Sequence, residues 1–355
     1  MKRPSDKPVE LLIPASLADL FCAFEKLDRG ISVTLSTAEQ SQLETAKATK
    51  APSPGVCLGV WSSGSTGQPK FLWKSWPTLK ASAAMHERLR GWTWCSAFDA
   101  VSFAGVHVAL QAWISQGQVL SLNNHWSESW RLLTTRQPEA ICCTPTFLDL
   151  LLQVEELSAQ TWNPRQITLG GEVLRPIVAS RIRVRFPDTR ITVVYASAEF
   201  GVLAKTHRMD GWYELNSLSQ HSGRWQVREG ILELFQDEAW RQTGDHVELD
   251  GEYFRVLGRA DGVANVAGVK ISLPEIAAAA EEVTGIRQAV ASFEPNAVVG
   301  QIVSLKFAVD PGLDVGEVQL RLQEHLRCRL RKEAWPRRWI LDDVGLGRNS
   351  KGIVR

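Results

Sequence analysis

The chain has 355 residues, 44% of them hydrophobic and 22% charged, the balance of a globular protein with room for one large domain and a smaller one. Forty basic side chains against 39 acidic ones give a formal net charge of +1, which offers no broad basic field for nucleic acid or an anionic membrane. No segment approaches the roughly 20 apolar residues of a membrane span, and the polar residues 1–10 precede no signal-like apolar core, so a cytoplasmic location is expected.

In chain order, residues 37–54 are polar, contain Pro52 and Pro54, and read as a loop or linker. An apolar run of strand length follows at residues 56–61, then a loop rich in Gly, Ser and Thr. Short buried strands are predicted at 140–144, 166–169 and 191–195, and helices at 146–157, 175–185 and 316–333. This alternation predicts an α/β fold with a mostly parallel sheet. Arg181, Arg183 and Arg185 read as a solvated helix face. Residues 230–257 alternate apolar and polar around an Asp250-Gly251 turn, the pattern of antiparallel strands. Ser272 and Glu275 have capping-box spacing, with Pro274 in the first turn of a helix predicted at 273–283. The change in pattern after Arg259 places a boundary near residue 260, giving a large domain over 1–260 and a small α+β domain over 261–355.

The six cysteines include no CxxC pair and the seven histidines are scattered. Buried free thiols are therefore expected, not a zinc site or a disulfide framework. Most of the 14 tryptophans are expected in core and cleft walls.

The loop from Ser62 to Lys70 (Ser62, Ser63, Gly64, Ser65, Thr66, Gly67, Gln68, Pro69, Lys70) has the chemistry to wrap a polyphosphate. Its glycines let backbone amides turn inward, its hydroxyls add donors, and Lys70 adds charge. Taken alone it also reads as a flexible connection. Further on stand Gly170, Gly171 and Glu172, then Tyr195, Ala196, Ser197, Ala198 and Glu199. Gln242 to Asp245, Gly258 to Asp261, Asn265 to Ile276 and the tail through Lys351 complete the set. Singly, Asp245 reads as a turn carboxylate and Glu199 as a solvated strand end. Arg259 and Asp261 read as a surface ion pair, and Glu172 as a helix N-terminal charge.

As an ordered set these segments resemble the adenylate-forming superfamily of acyl- and aryl-CoA ligases, peptide-synthetase adenylation domains and beetle luciferases. Residues 62–70 fit its [ST]SG[ST]TGxPK phosphate loop at every defined position. The resemblance implies ATP, magnesium, a small carboxylic acid, and CoA or a carrier-protein phosphopantetheine as the thiol. It also implies the residue roles. Gly170, Gly171 and Glu172 would lie along the adenine and Tyr195 would stack on it, beside Ala196, Ser197 and Ala198. Glu199 would hold magnesium, Asp245 the ribose hydroxyls, and Arg259 ribose and phosphate. Asp261 would be the hinge of a mobile lid, with Gly258, Gly262 and Gly268 as permissive backbone. Thr66 and Lys351 would act in catalysis.

Four departures from the family pattern stand out. About sixty residues precede the phosphate loop where most relatives have well over a hundred, as in compact o-succinylbenzoate–CoA ligases. Ala198 replaces a threonine that donates to the α-phosphate. The gating position falls near Ser102 or Phe103, with His107 inside a helix. Lys351 sits one residue out of register. The expectation is an acyl- or aryl-CoA ligase, monomeric or homodimeric. The alternatives are an enzyme loading a carrier protein in trans and a degenerate protein that binds nucleotide without turnover. Trp113, Phe147 and Phe200 suggest an apolar or aromatic acid, though they read equally as core.

Overall fold

A computed structural model describes residues 9–39, 42, 44–46, 55–62, 70–83, 87–123, 125–155, 161–260, 263–266, 269–296 and 300–341. The chain divides into two compact units, one of residues 1–172 and 185–207, the other of residues 173–184 and 208–355.

The first unit is α/β. Strands β1 (Val9–Leu12), β2 (Ser32–Leu35), β3 (Cys57–Ser62) and β4 (Lys70–Ser75) form a sheet in that order. The first three run parallel and β4 returns antiparallel. Helix α1 (Leu20–Asp28) crosses from β1 to β2 and buries Leu20, Ala23, Phe24 and Leu27, the i, i+3, i+4, i+7 face of an amphipathic helix. Helix α2 (Trp76–Ser82) follows β4.

The second sheet takes the order β6-β5-β7-β8-β9-β10, with β5 (Thr93–Ser96), β6 (Gln118–Ser121), β7 (Ala140–Cys143), β8 (Gln166–Gly170), β9 (Arg190–Ser197) and β10 (Gly201–Thr206). Every pairing is parallel except the closing β9–β10 hairpin. Helices α3 (Phe103–Ile114), α4 (Trp126–Arg136) and α5 (Pro145–Glu155) lie between its strands in the chain, whereas α6 (Pro176–Arg185), which follows β8, falls almost wholly within the second unit. The parallel sheet and its predicted strands and helices are therefore present. All four residues of β7 are buried, as an apolar run covered on both faces requires. Trp113 lies against Phe24 and Trp76, at 5.7 and 6.2 Å between ring centroids. Phe147 is 2% exposed and packs on Trp126. Both rings thus belong to the core.

The second unit holds a five-stranded antiparallel sheet, β11-β15-β14-β13-β12, from β11 (Trp212–Glu214), β12 (Trp225–Arg228), β13 (Ile231–Gln236), β14 (Ala239–Asp250) and β15 (Tyr253–Arg259). Helix α7 (Asn216–Ser222) links β11 to β12. Asp250 pairs with Tyr253, so the turn is Gly251-Glu252, one residue later than expected. Gly251 takes φ +55°, which glycine adopts without a Cβ penalty.

Beyond it, β16 (Val263–Val266) and β17 (Val269–Ser272) form a hairpin. The order continues with α8 (Leu273–Glu281), β18 (Ile286–Asn296), β19 (Gly300–Val309), α9 (Val315–Arg329) and β20 (Arg338–Leu341). The sheet β18-β19-β20 and helices α8 and α9 enclose a core of their own around Ile276, Leu305, Phe307, Leu322 and Leu326. The expected capping box does not form. Ser272 is the N-cap of α8, but it also closes β17, and its buried hydroxyl has no partner among the described residues. Helix α9 ends at Arg329, short of 333, because Leu330 is extended (φ −113°, ψ 154°). The expectation of buried thiols holds for Cys57, Cys95, Cys142 and Cys143, whereas Cys22 and Cys328 are exposed.

Two contacts set stability tests. A Cβ on Gly105 would lie 2.1 Å from the backbone oxygen of Asp99, and neither backbone can yield cheaply. Gly105→Ala should lower unfolding free energy by about 1–3 kcal/mol or more, read by urea denaturation. In the second unit, Arg175 pairs with Glu281, whose side chain is 4% exposed and whose other oxygen accepts from the Ala289 amide at 2.9 Å. Arg175→Met strands a buried carboxylate and should cost about 3–5 kcal/mol. Adding Glu281→Gln, which removes the charge and keeps an acceptor for Ala289, should recover most of that loss in the same assay.

Candidate functional site

Parallel strands bring their carboxyl ends to one edge, where open α/β sheets bind ligands. At the end of β7, the Thr144 hydroxyl accepts from the Phe147 amide at 3.1 Å and so caps α5. At the end of β8, Gly171 takes φ +83°, and a Cβ on Gly170 would meet the Val194 oxygen at 3.3 Å. Glu172 follows, and its carboxylate accepts from the Thr146 amide at 3.3 Å. Glu172 therefore does serve as a helix N-terminal charge, at the start of α5.

At the end of β9, Tyr195 is buried, and Ala196 and Ser197 are half-buried. The Ser197 hydroxyl accepts from the Phe200 amide at 3.0 Å, which fixes the turn into β10. Ala198 packs its methyl against the core. Glu199 is exposed on the turn, and its carbonyl accepts from Lys74 Nζ at 2.8 Å. Among the described residues no group of three or more His, Cys, Asp or Glu side chains could hold a metal. A single exposed carboxylate nonetheless suits magnesium, which keeps waters and takes most remaining ligands from substrate phosphates.

Ser62 and Lys70 face each other as register partners at the ends of β3 and β4. Ser62 is buried, with no partner for its hydroxyl among the described residues, and Lys70 is exposed. Ser63, Gly64, Ser65, Thr66 and Gly67 lie outside the described residues, as do Asp261, Gly268 and Lys351. The open end of β3 is tied to the start of α3 by the Trp61 amide, which donates to Val101 at 2.9 Å. Ser102 caps α3, accepting from the Gly105 amide at 3.0 Å. Phe103 opens the helix, and His107 lies one turn on, its ring 4.5 Å from that of Phe103. His107 is thus inside the helix, as expected. Burial first, and then the charges of Lys205 and Lys74, pull its imidazole down to about 4, so it is neutral at pH 7.

In the second unit, the register of β14 and β15 sets Asp245 opposite Arg259. Asp245 is 6% exposed. Arg259 Nη1 donates to its carboxylate at 3.2 Å and to the Thr243 carbonyl at 2.9 Å. The Asp245 amide donates to the Thr243 hydroxyl at 3.2 Å. Gly244 stands between them at φ +76°, and a Cβ there would lie 2.7 Å from Arg259 Nη2. A nearby guanidinium favours the charged form of a buried carboxylate.

The sequence did not reveal that Asp245 and Arg259 hold each other, nor that Lys74 approaches the Glu199 turn. Lys74 is 125 positions from Glu199 in the chain, and no local pattern marks such a contact. Pairing outward from the 250–253 turn would set Asp245 opposite Gly258, and an irregularity between His246 and Val247 moves its partner to Arg259.

Residues 21–224 match the AMP-binding enzyme family. The chain is 23% identical over 330 residues to the medium/long-chain-fatty-acid–[acyl-carrier-protein] ligase FadD10 of Mycobacterium tuberculosis, a match covering 78% of this chain and 60% of that protein. It is 22% identical over 321 residues to the phenyloxazoline synthase MbtB of the same organism, covering 74% and 22%. The chain therefore spans about three fifths of the first relative and about a fifth of the second. Among solved structures, the anthranilate CoA ligase AuaEII, in complex with anthranoyl-AMP, shares the fold at a TM-score of 0.71 and 13% identity, covering 98% of this chain and 76% of that one. ATP-bound MatB from Rhodopseudomonas palustris does so at 0.68 and 18%, covering 99% and 78%. No helix among the described residues is long and apolar enough to cross a membrane. With a match running over more than half its length, the chain belongs to the AMP-binding enzyme family.

Proposed function

We propose that this protein joins a carboxylic acid to the α-phosphate of ATP, releasing pyrophosphate, and then transfers the acyl group from AMP to a thiol. The observation that carries the reading is the buried Asp245 held by Arg259, in a chain whose motifs keep their order within the AMP-binding family. Asp245 would accept from the ribose hydroxyls of ATP, while Arg259, 46% exposed at its side chain, would donate to ribose and phosphate.

The acid's carboxylate and the triphosphate are both anionic, so the barrier is lowered chiefly by charge neutralisation and in-line positioning. The phosphate loop, Ser62 to Lys70, would hold the departing pyrophosphate. Lys351 would bridge the carboxylate and the α-phosphate. Magnesium, when held by Glu199, supplies further positive charge to the phosphates. In the second half-reaction the thiolate attacks the acyl carbonyl and AMP leaves.

We assign residues 1–260 to nucleotide and acid and residues 261–355 to a lid that carries Lys351 and hinges at Asp261. The separate core around Phe307 supports an independently packed lid. CoA is the preferred acceptor, with an aryl acid of the o-succinylbenzoate type as the first candidate substrate. The acceptor named for FadD10, an acyl-carrier protein, supports a second reading, in which a carrier's phosphopantetheine is loaded in trans.

The test is pyrophosphate release with ATP, magnesium and a panel of benzoates, phenylacetate, o-succinylbenzoate and fatty acids, with and without CoA. One acid should support release. Lys351→Ala should reduce it on the order of 100- to 1,000-fold. Asp245→Asn removes a charged hydrogen-bond acceptor, a loss of about 1.5–3 kcal/mol, and should weaken ATP binding roughly 10- to 100-fold by calorimetry. Stimulation by CoA selects CoA as acceptor, and its absence points to a carrier. Silence across the panel, with ATP still raising the melting temperature, would replace the ligase by a nucleotide-binding protein.

A further inference from the structure

We propose that Lys74 is a positioning residue for this site: its ammonium fixes the turn that bears Glu199 against the strand leaving the phosphate loop, and leaves the Glu199 carboxylate free for a divalent metal. The inference rests on the acid-activating reading above, in which Glu199 holds that metal.

Lys74 is half-buried on β4, and its Nζ donates to the Glu199 carbonyl at 2.8 Å. The same ammonium lies 5.3 Å from the centroid of the Phe103 ring, within the range of a cation–π contact. One cation thus joins β4, the start of α3 and the turn between β9 and β10. Strand β4 belongs to the first sheet and the turn to the second. Lys70, where the phosphate loop returns, opens the same strand and shares the face of Lys74, because side chains alternate along it. The bond at Lys74 therefore sets the Glu199 turn relative to the strand on which that loop ends.

The turn has two further supports. The Ser197 hydroxyl accepts from the Phe200 amide at 3.0 Å, and Ala198 packs against the core. Neither touches Glu199 itself. Its side chain is exposed, and among the described residues its carboxylate makes no hydrogen bond or ion pair. A lysine beside a carboxylate commonly forms an ion pair with it, which would occupy oxygens that a metal needs. Here the ammonium engages the carbonyl and an aromatic face instead, so the main chain is pinned and the carboxylate is not. Hydrogen bonds from a charged donor are the stronger kind, which suits one that must hold a turn at the surface. The positive charge of Lys74 does not oppose the metal, which takes most of its remaining ligands from substrate phosphates and so binds as part of a net anion.

The test compares the wild type with Lys74→Met, with Lys74→Gln, which keeps N–H donors on a shorter chain, and with Lys74→Arg, which keeps a charged donor. Mn2+ binding is read by electron paramagnetic resonance beside an ATP analogue with a methylene between the α- and β-phosphates. Binding of that analogue in EDTA is read by calorimetry, and amide exchange over residues 196–203 by mass spectrometry without nucleotide. Lys74→Met and Lys74→Gln should weaken Mn2+ binding about tenfold or more. Both should leave analogue binding in EDTA unchanged and speed exchange at the turn, and Lys74→Arg should recover part of each loss. In pyrophosphate release, the magnesium concentration for half-maximal rate should rise by the same factor, with kcat near that of the wild type at saturating metal. Unchanged Mn2+ affinity would overturn the proposal, because Lys74 would then serve the fold alone. Equal loss of Mn2+ and of analogue in EDTA would overturn it by assigning Lys74 to the phosphates. Tighter Mn2+ binding would overturn it by showing that the ammonium repels the metal. A weakened metal site in a protein that releases pyrophosphate with no acid would uphold the role of Lys74 and refute the ligase reading. Acid-dependent release with unaltered metal affinity would refute the role of Lys74 and leave the ligase reading standing.

Discussion

Parallel pairing of β5, β7, β8 and β9 delivers their carboxyl ends to one edge, and the loops leaving it must satisfy the amides that open the next helix. In this protein one carboxylate and one hydroxyl do so. Thr144 and Glu172 accept from consecutive amides at the start of α5, which binds the loop after β8 to the loop after β7. A helix N-terminus attracts negative charge, which suits a carboxylate in this position. With that loop pinned, Gly170 comes close to β9, where a Cβ would meet the Val194 oxygen at 3.3 Å, and Gly171 takes a positive φ of +83°. Glycine at these two positions is then a matter of space and of φ, and the sheet edge stays accessible to a flat ligand.

The two units manage charge differently. In the antiparallel sheet, Asp245 is buried and tied to Arg259 across a register pair. A guanidinium fixed at one end by the Thr243 carbonyl loses less freedom on meeting a further anion than a mobile one does. In the α/β unit, Lys74 is held by a carbonyl instead of a carboxylate, and burial pushes its ammonium below the usual lysine range. The first arrangement pairs a buried carboxylate with a guanidinium. The second sets one half-buried ammonium against a neutral acceptor.

What the sequence disclosed follows from the range of each interaction. Residues 140–143 and 191–195 read as buried strands because a parallel sheet covered on both faces needs unbroken apolar runs. Residues 231–236 alternate because an antiparallel sheet can wet one face. The segments near Gly170, Glu199, Asp245 and Arg259 stood out only as an ordered set that resembles the adenylate-forming superfamily, because each alone reads as an ordinary turn or surface charge. The turn after β14 was misplaced by one residue because Asp-Gly and Gly-Glu are both good turn pairs, and cross-strand register chooses between them. The capping box failed for a similar reason: strand pairing of Ser272 overrides a local preference. Cys22 looked apolar by type, yet it lies on the outer face of α1, opposite Ala23 and Phe24. Trp113 and Phe147 were open between cleft and core, and only their packing against Phe24, Trp76 and Trp126 decides for core.

Ala198 stands where the superfamily pattern has a hydroxyl donor, and its methyl lies against apolar core. The neighbouring Ser197 hydroxyl is engaged by the Phe200 amide as an acceptor, and Ser197 ends β9 while Ala198 lies in the turn. That hydroxyl is therefore no simple replacement. A neutral hydrogen bond contributes about 0.5–1.5 kcal/mol, against about 1.5–3 for one to a charged group. A reaction whose partners are both anionic depends first on fixed charges, and Glu199, Asp245 and Arg259 are all retained. A hydroxyl donating to the anionic α-phosphate falls in the second range, so the loss at Ala198 amounts to roughly 10- to 100-fold in rate within the proposed chemistry, a slower adenylation and not an absent one. Restoring the hydroxyl with Ala198→Thr would place a polar atom against the core packing that the methyl now completes, so gained rate would come with lost stability.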